Sequence, residues 1–148
     1  MASISLLKKP MTLSLEHADR LMENSQKHGT VLQVGHIERF NPAVIKMESL
    51  ISRPFFIESH RLNFYTKRGT DVDIVLDLMI HDLDIILHIV NSDIKDIDAV
   101  GMPVVTNKVD IAHARIMFAN GTVANATASR VSNESLRVMR IFQPDNHL

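Results

Sequence analysis

The stretch that most constrains this chain is residues 71–90, DVDIVLDLMIHDLDIILHIV. It is too long and too apolar for a strand, and its spacing predicts a helix over 73–90. At about 100° per residue, Asp73, Asp77, His81, Asp84 and His88 fall within an arc of about 80°. Nearly all the remaining circumference is Ile, Leu, Val or Met, with Asp82 the one polar residue pointing the other way. A helix this apolar is buried on most sides, and unpaired buried charge is costly. The acidic and imidazole stripe must therefore face water, a cleft or partner groups. Three Asp and two His within residues 74–90 argue against a bilayer.

The preceding segments read as a βαβ unit. Residues 3–7 form a short strand that stops before Pro10. Ser14 caps a helix with Glu16 and Asp19 near its first turn, and Gly29 closes it. Residues 30–34 form a second, parallel strand. Lys9 and His36 then follow the carboxyl ends of the two strands, where ligand crevices of parallel sheets lie. Pro42 opens a helix that runs to residue 50 or 51. His36 can cap that helix or bind a ligand. Residues 54–62 read as a strand, and 63–72 as a polar connection with Arg68-Gly69 at its tip.

After Asn91 the pattern is all strand. Residues 97–105 contain Pro103, which suits an edge or a bulge. Ile111–Phe118 and residues 122–130 flank Asn120-Gly121, a type I′ hairpin signal. One hairpin face carries Ala112, Ala114, Ile116 and Phe118 with Ala124, Ala126 and Ala128, small enough for a helix to approach closely. The other carries His113, Arg115, Asn125, Thr127 and Ser129. Residues 136–142 make the last strand. The expected fold is α/β (α+β): a partial Rossmann βαβ unit, then a mixed, largely antiparallel open-faced sheet with helices on one face. The expected domains are 1–52 and 53–148.

Composition narrows the function. The net charge of −1 and the absence of a basic run point away from nucleic acid and from anionic membrane surfaces. With no cysteine there is no disulfide and no thiolate chemistry. The N-terminus lacks a signal-peptide core, so a cytoplasmic location is expected and the two Asn-x-Ser/Thr sequons are read as chance. The five glycines, Gly29, Gly35, Gly69, Gly101 and Gly121, are isolated, so there is no dinucleotide loop or P-loop, and no Gly-x-Ser-x-Gly nucleophile motif occurs.

Several side chains can carry chemistry. Asp77 and His81, four apart on one helix face, can work as a carboxylate-oriented imidazole in proton transfer, or can be a solvated or mutually satisfied pair. Asp77, His81, Asp84 and His88 have donor types that suit zinc, but a ligand from elsewhere is needed. Lys9 can hydrogen-bond a substrate oxygen, or can be one of two surface lysines. His36, Arg39 and Asn41 can bind polar substrate groups, and Arg61, Arg68 and Arg130 can meet phosphate.

Three segments in order, Leu7-Lys8-Lys9-Pro10 with the helix after it, VLQVGHIERFNPAV (residues 31–44) and DLMIHDLDIILHIV (residues 77–90), resemble the glucose–fructose oxidoreductase / inositol dehydrogenase (Gfo/Idh/MocA) family. They match its Glu-Lys-Pro, Arg-Phe-Asn-Pro-like and Asp-x-x-x-His motifs. The resemblance implies NAD(P)-dependent oxidation or reduction of a sugar or cyclitol hydroxyl. It implies catalytic roles for Lys9, Asp77 and His81, with His81 as base. Cofactor contacts fall to Lys9 and Pro10, and substrate contacts to His36, Arg39, Asn41 and Arg68. The HIERFNP and RGTDVD segments look like members acting on nucleotide-activated amino sugars. The open sheet implies a homo-oligomer. The family's Gly-rich loop and ribose-binding acid are missing, and Lys8 replaces the usual Glu. The chain therefore looks like a fragment lacking the N-terminal part of the Rossmann domain, expected to be inactive and without appreciable NAD(P) affinity alone. A non-catalytic oligomerisation or binding module of that family and an unrelated metal-binding protein are the competing readings.

Overall fold

The structure is a computed structural model that describes residues 3–67, 69–144 and 146–148. Arg68 therefore lies outside the described residues. The chain forms two compact units, residues 1–37 and 38–148.

In the first unit, β1 (Ile4–Leu7) and β2 (Val31–Val34) pair in parallel, Ile4 opposite Val31 and Leu7 opposite Val34. Helix α1 (Leu15–His28) joins them. Its start is set by Ser14, whose Oγ accepts the His17 N–H at 3.3 Å. Its end is set by Gly29, which adopts φ +60° and donates to the Ser25 and Gln26 carbonyls, a left-handed cap that glycine enters without steric cost. One apolar side of the strands is open to solvent, with Ile4 and Leu6 at 70% and Val31 at 49%, while Leu7, Leu32 and Val34 are half-buried.

The second unit is built on a six-stranded sheet in the order β4-β5-β6-β3-β7-β8. The strands are β3 (Phe56–Leu62), β4 (Ile94–Met102), β5 (Ile111–Phe118), β6 (Val123–Ser129), β7 (Leu136–Gln143) and β8 (Asn146–His147). All pairings are antiparallel except β3 with β6, which is parallel. Period-2 alternation sends Ile57, Ala112, Ala114, Ile116, Phe118, Ala124, Ala126, Ala128 and Ile141 to one face. There they form the core with Ile74, Met79, Ile86 and Val90 of the apolar helix. Five alanines on two adjacent strands, β5 and β6, offer almost no side-chain height, which is why the helix can lie close on that face. The mixed, largely antiparallel sheet covered on one face is the expected architecture.

Three local expectations are corrected. The helix begins at Ile74 rather than Asp73, and its first part is a π turn (Val75–Met79) that passes into α3 (Ile80–Val90). The Ile80 N–H reaches back to the Val75 carbonyl, closing the wider π ring. The Asn120-Gly121 hairpin is not type I′, which needs positive φ at both central residues. Only Gly121 has it, at +89°. Phe118 N–H donates to Thr122 O at 2.9 Å and Gly121 N–H to Phe118 O at 3.0 Å, which makes a three-residue loop closed by a left-handed glycine. The fourth strand starts at Ile94, before the expected residue 97. It carries its register shift at Ile94/Asp96 and ends just before Pro103. It is an edge strand, as Pro103 suggested.

Candidate functional site

In the first unit, Gly35 N–H donates to Leu7 O at 2.8 Å, just past the last strand pair. The segments carrying Lys9-Pro10 and His36 therefore leave the two-stranded sheet at the same, carboxyl end. The Lys9–Pro10 peptide bond is cis. Lys9, Pro10 and His36 are half-buried.

In the second unit, the stripe residues Asp77 and His81 are both half-buried and stand on the helix that caps the core. Asp77 lies inside the π turn and His81 just after it. A π turn takes more residues than an α turn, so four residues no longer complete a turn here. Such turns recur at functional sites. Asp73, before the first helical residue, ties the helix start to the β4–β5 connection. Its Oδ1 accepts the Val109 N–H at 3.0 Å, and the Ile74 N–H donates to Val109 O at 2.9 Å.

The rest of the stripe is engaged by other elements. Asp84 accepts two bonds from Arg39, Nε to Oδ2 at 2.7 Å and Nη2 to Oδ1 at 2.6 Å. The Asp84 hydrogen bond, working against burial, holds the Arg39 guanidinium above its ordinary pKa. His88 Nε2 lies 2.8 Å from Glu48 Oε1, and its Nδ1 lies 3.4 Å from Arg39 Nη1. That pairing assigns the imidazole proton to Nε2 and makes Nδ1 the acceptor. The two residues thus fasten α3 to the segment around α2 (Pro42–Glu48). Asn41, expected at the substrate, caps α2, its Oδ1 accepting the Ala43 N–H at 3.0 Å. His36 does not take that capping role.

Asp82, the polar residue on the opposite side, is buried against Arg61 of β3. Arg61 Nε donates to Asp82 Oδ2 at 3.0 Å and Nη2 to Oδ1 at 2.7 Å. Burial pulls the Arg61 pKa down, but the Asp82 bonds more than offset it and the net direction is up. Glu38 Oε1 lies 3.9 Å from both Arg61 and Arg137. These groups line a cavity of about 220 Å³ together with Asn41 and Met47. Arg130 donates to backbone carbonyls. Arg61 and Arg130 therefore serve internal partners, not phosphate. Among the described residues, no group of three or more His, Asp or Glu side chains could hold a metal ion, and no helix is long and apolar enough to cross a membrane.

Residues 42–142 match the GFO/IDH/MocA C-terminal domain. The chain is 43% identical over 143 residues to the UDP-N-acetylglucosamine 3-dehydrogenase of Acidithiobacillus ferrooxidans, covering 96% of this chain and 46% of that protein. The solved structure of that dehydrogenase superposes with a TM-score of 0.86 over 96% of this chain and 46% of its own. The scyllo-inositol 2-dehydrogenase (NAD(+)) of Bacillus subtilis is 28% identical over 145 residues, 85% of this chain and 41% of that one. A scyllo-inositol dehydrogenase from Lactobacillus casei with bound NAD(H) and scyllo-inositol, 18% identical, shares the fold with a TM-score of 0.78 over 97% of this chain and 48% of its own. The chain thus spans less than half the length of these relatives. The apolar helix with its Asp-x-x-x-His stripe, the alanine-faced mixed sheet beneath it and the match over residues 42–142 lead to one conclusion: the chain belongs to the Gfo/Idh/MocA family.

Proposed function

We propose that this chain carries the substrate-side part of an NAD- or NADP-dependent sugar dehydrogenase, with a nucleotide sugar of the UDP-N-acetylglucosamine type as substrate. The observation that carries the reading is the placement of Asp77 and His81 on the π-interrupted helix of a chain 43% identical to a UDP-N-acetylglucosamine 3-dehydrogenase. Residues 1–52 are the Rossmann-derived part and 53–148 the open-sheet part.

The cofactor fit is partial. The chain offers Lys9 and Pro10 at a parallel-strand carboxyl edge, while its glycines are isolated and none forms a pyrophosphate loop. When bound, the nicotinamide supplies the acceptor or donor of hydride. In the oxidative direction, His81 takes the proton from the sugar hydroxyl. Asp77 orients the imidazole or binds a neighbouring hydroxyl. Lys9 donates a hydrogen bond to the reacting oxygen and eases its deprotonation. His36 meets a polar group of the substrate, as does Arg68. Arg39 and Asn41, already bonded to Asp84 and Ala43, act by shaping their segment. A second copy covers the open face of the sheet, where β4 exposes Val100 and Met102, both above half. A second reading, to which the exposed Val100 and Met102 of β4 point, is a non-catalytic oligomerisation or binding module of the same family.

Titration of UDP-N-acetylglucosamine into the labelled chain, followed by NMR, tests the substrate assignment. Perturbations should centre on Asp77 and His81 and disappear in His81→Ala. Perturbations absent at millimolar ligand, or unchanged by that substitution, sink the reading. Light scattering tests the covered sheet, and a monomer at high concentration overturns it.

A further inference from the structure

The turn before the helix is organised by two buried charges that the reaction does not use. Asp110 is completely buried. Its Oδ2 accepts the N–H groups of Val104, Val105 and Thr106 at 2.9, 2.8 and 2.8 Å, and its Oδ1 accepts the Thr106 hydroxyl at 2.7 Å. Arg130, 4% exposed, lies directly after β6, with its Nε 3.7 Å from Asp110 Oδ1. Its backbone N–H donates to the Asp110 carbonyl at 3.0 Å.

The guanidinium is turned onto main chain. Nη1 donates to Gly69 O and Nη2 to Val72 O, both at 2.7 Å. Only a planar fork reaches two carbonyls at fixed spacing in this way. The same turn is held by the two bonds between Val109 and Asp73-Ile74. Gly69 is thereby fixed at φ +68°, and it lies against the Asp77 carboxylate. A Cβ at residue 69 would stand 2.7 Å from Asp77 Oδ2 and 3.2 Å from Cγ. No real Cβ fits there, so any side chain at 69 moves the carboxylate or the turn.

We infer that Arg130, acting through the backbone of Gly69, is a positioning residue for the Asp77 carboxylate. This rests on the reading that Asp77 belongs to the dehydrogenase site. Arg130 fixes the turn, the turn presents a bare Cα, and that Cα limits where the carboxylate can stand. A purely structural role for Arg130 would affect folding but not Asp77 selectively.

The test is NMR on the whole chain with carbon-13-labelled Asp side chains and labelled core methyls. Gly69→Ala should shift the Asp77 carboxyl resonance while the Ile116 and Ile141 methyls stay in place. Arg130→Lys keeps the charge but loses the fork. It should move the same resonance in the same direction and by less, and it decides the question if Gly69→Ala does not fold. An Asp77 resonance at its wild-type position in folded Arg130→Lys overturns the inference. So do changes spread evenly through the core. The readout involves neither sugar nor nicotinamide, so its failure is separable from a failure of nucleotide-sugar binding.

Discussion

Removal of Asp82 is the most informative single perturbation of the fold. Arg61 and Asp82 side chains are 6% and 8% exposed, and two bonds at 3.0 and 2.7 Å join them across the helix–sheet interface. In Asp82→Ala the guanidinium stays buried, and Glu38, 3.9 Å away, is the carboxylate left near it among the described residues. Stranding one member of a buried pair costs about 3–5 kcal/mol. Because Glu38 is the partly exposed partner, the lower end, about 3 kcal/mol, is expected. For a chain of this size that lowers Tm by roughly 6–12 °C. Removing both charges at similar volume, Arg61→Met with Asp82→Leu, should return stability to within about 1 kcal/mol of wild type or above it. Urea unfolding followed by circular dichroism gives both values. A loss under about 1 kcal/mol for Asp82→Ala would refute the reasoning. A double variant no better than the single would refute it too.

Two other outcomes are expected. The Asp110 carboxyl is pushed toward a higher pKa by burial but is held far below the carboxylate range by three backbone donors and the Thr106 hydroxyl. A folded pKa below the unfolded one gives stability that is full above about pH 4 and lost as pH falls below it. Asp110→Asn should therefore flatten the acid limb of the stability–pH curve, and an unchanged acid limb contradicts this. Asn41→Ala removes the α2 cap and should cost about 1 kcal/mol in the same unfolding assay. No measurable loss would mean that the cap is replaced by water.

Much of this architecture is legible in local pattern. Ser14, Gly29 and Pro42 mark helix ends because capping needs only neighbours, and alternation marks Ile111–Phe118 because one sheet face is buried. The π turn has no such mark, since Val75–Met79 reads as ordinary helix by period. Asn-Gly signals a turn without stating which residue takes positive φ, so the hairpin type is not legible in it. Arg39 looked available for ligand because its partner, Asp84, is 45 residues away in the chain. Asp82 did carry a signal. A lone carboxylate on the apolar side of a helix requires a buried cation, and alternation puts Arg61 on the same face of β3 as Ile57. The strand-end positions of Lys9 and His36 are legible, because parallel pairing follows from the short βαβ connections.

The parallel β3–β6 pair also governs how the second unit can fold. β6 and β7 are consecutive in the chain, yet β3 lies between them in the sheet. They cannot zip together as a local hairpin. β3 must wait until the π turn, α3, β4 and β5 have been made before its first sheet partner exists, and for β7 before its second. Loop closure across such distances comes before any reward in contacts. The β5–β6 hairpin, with its short glycine-closed loop, is the natural nucleus. Insertion of β3 is then the slow event, and until it occurs both the alanine face and two strand edges stand open to competing chains.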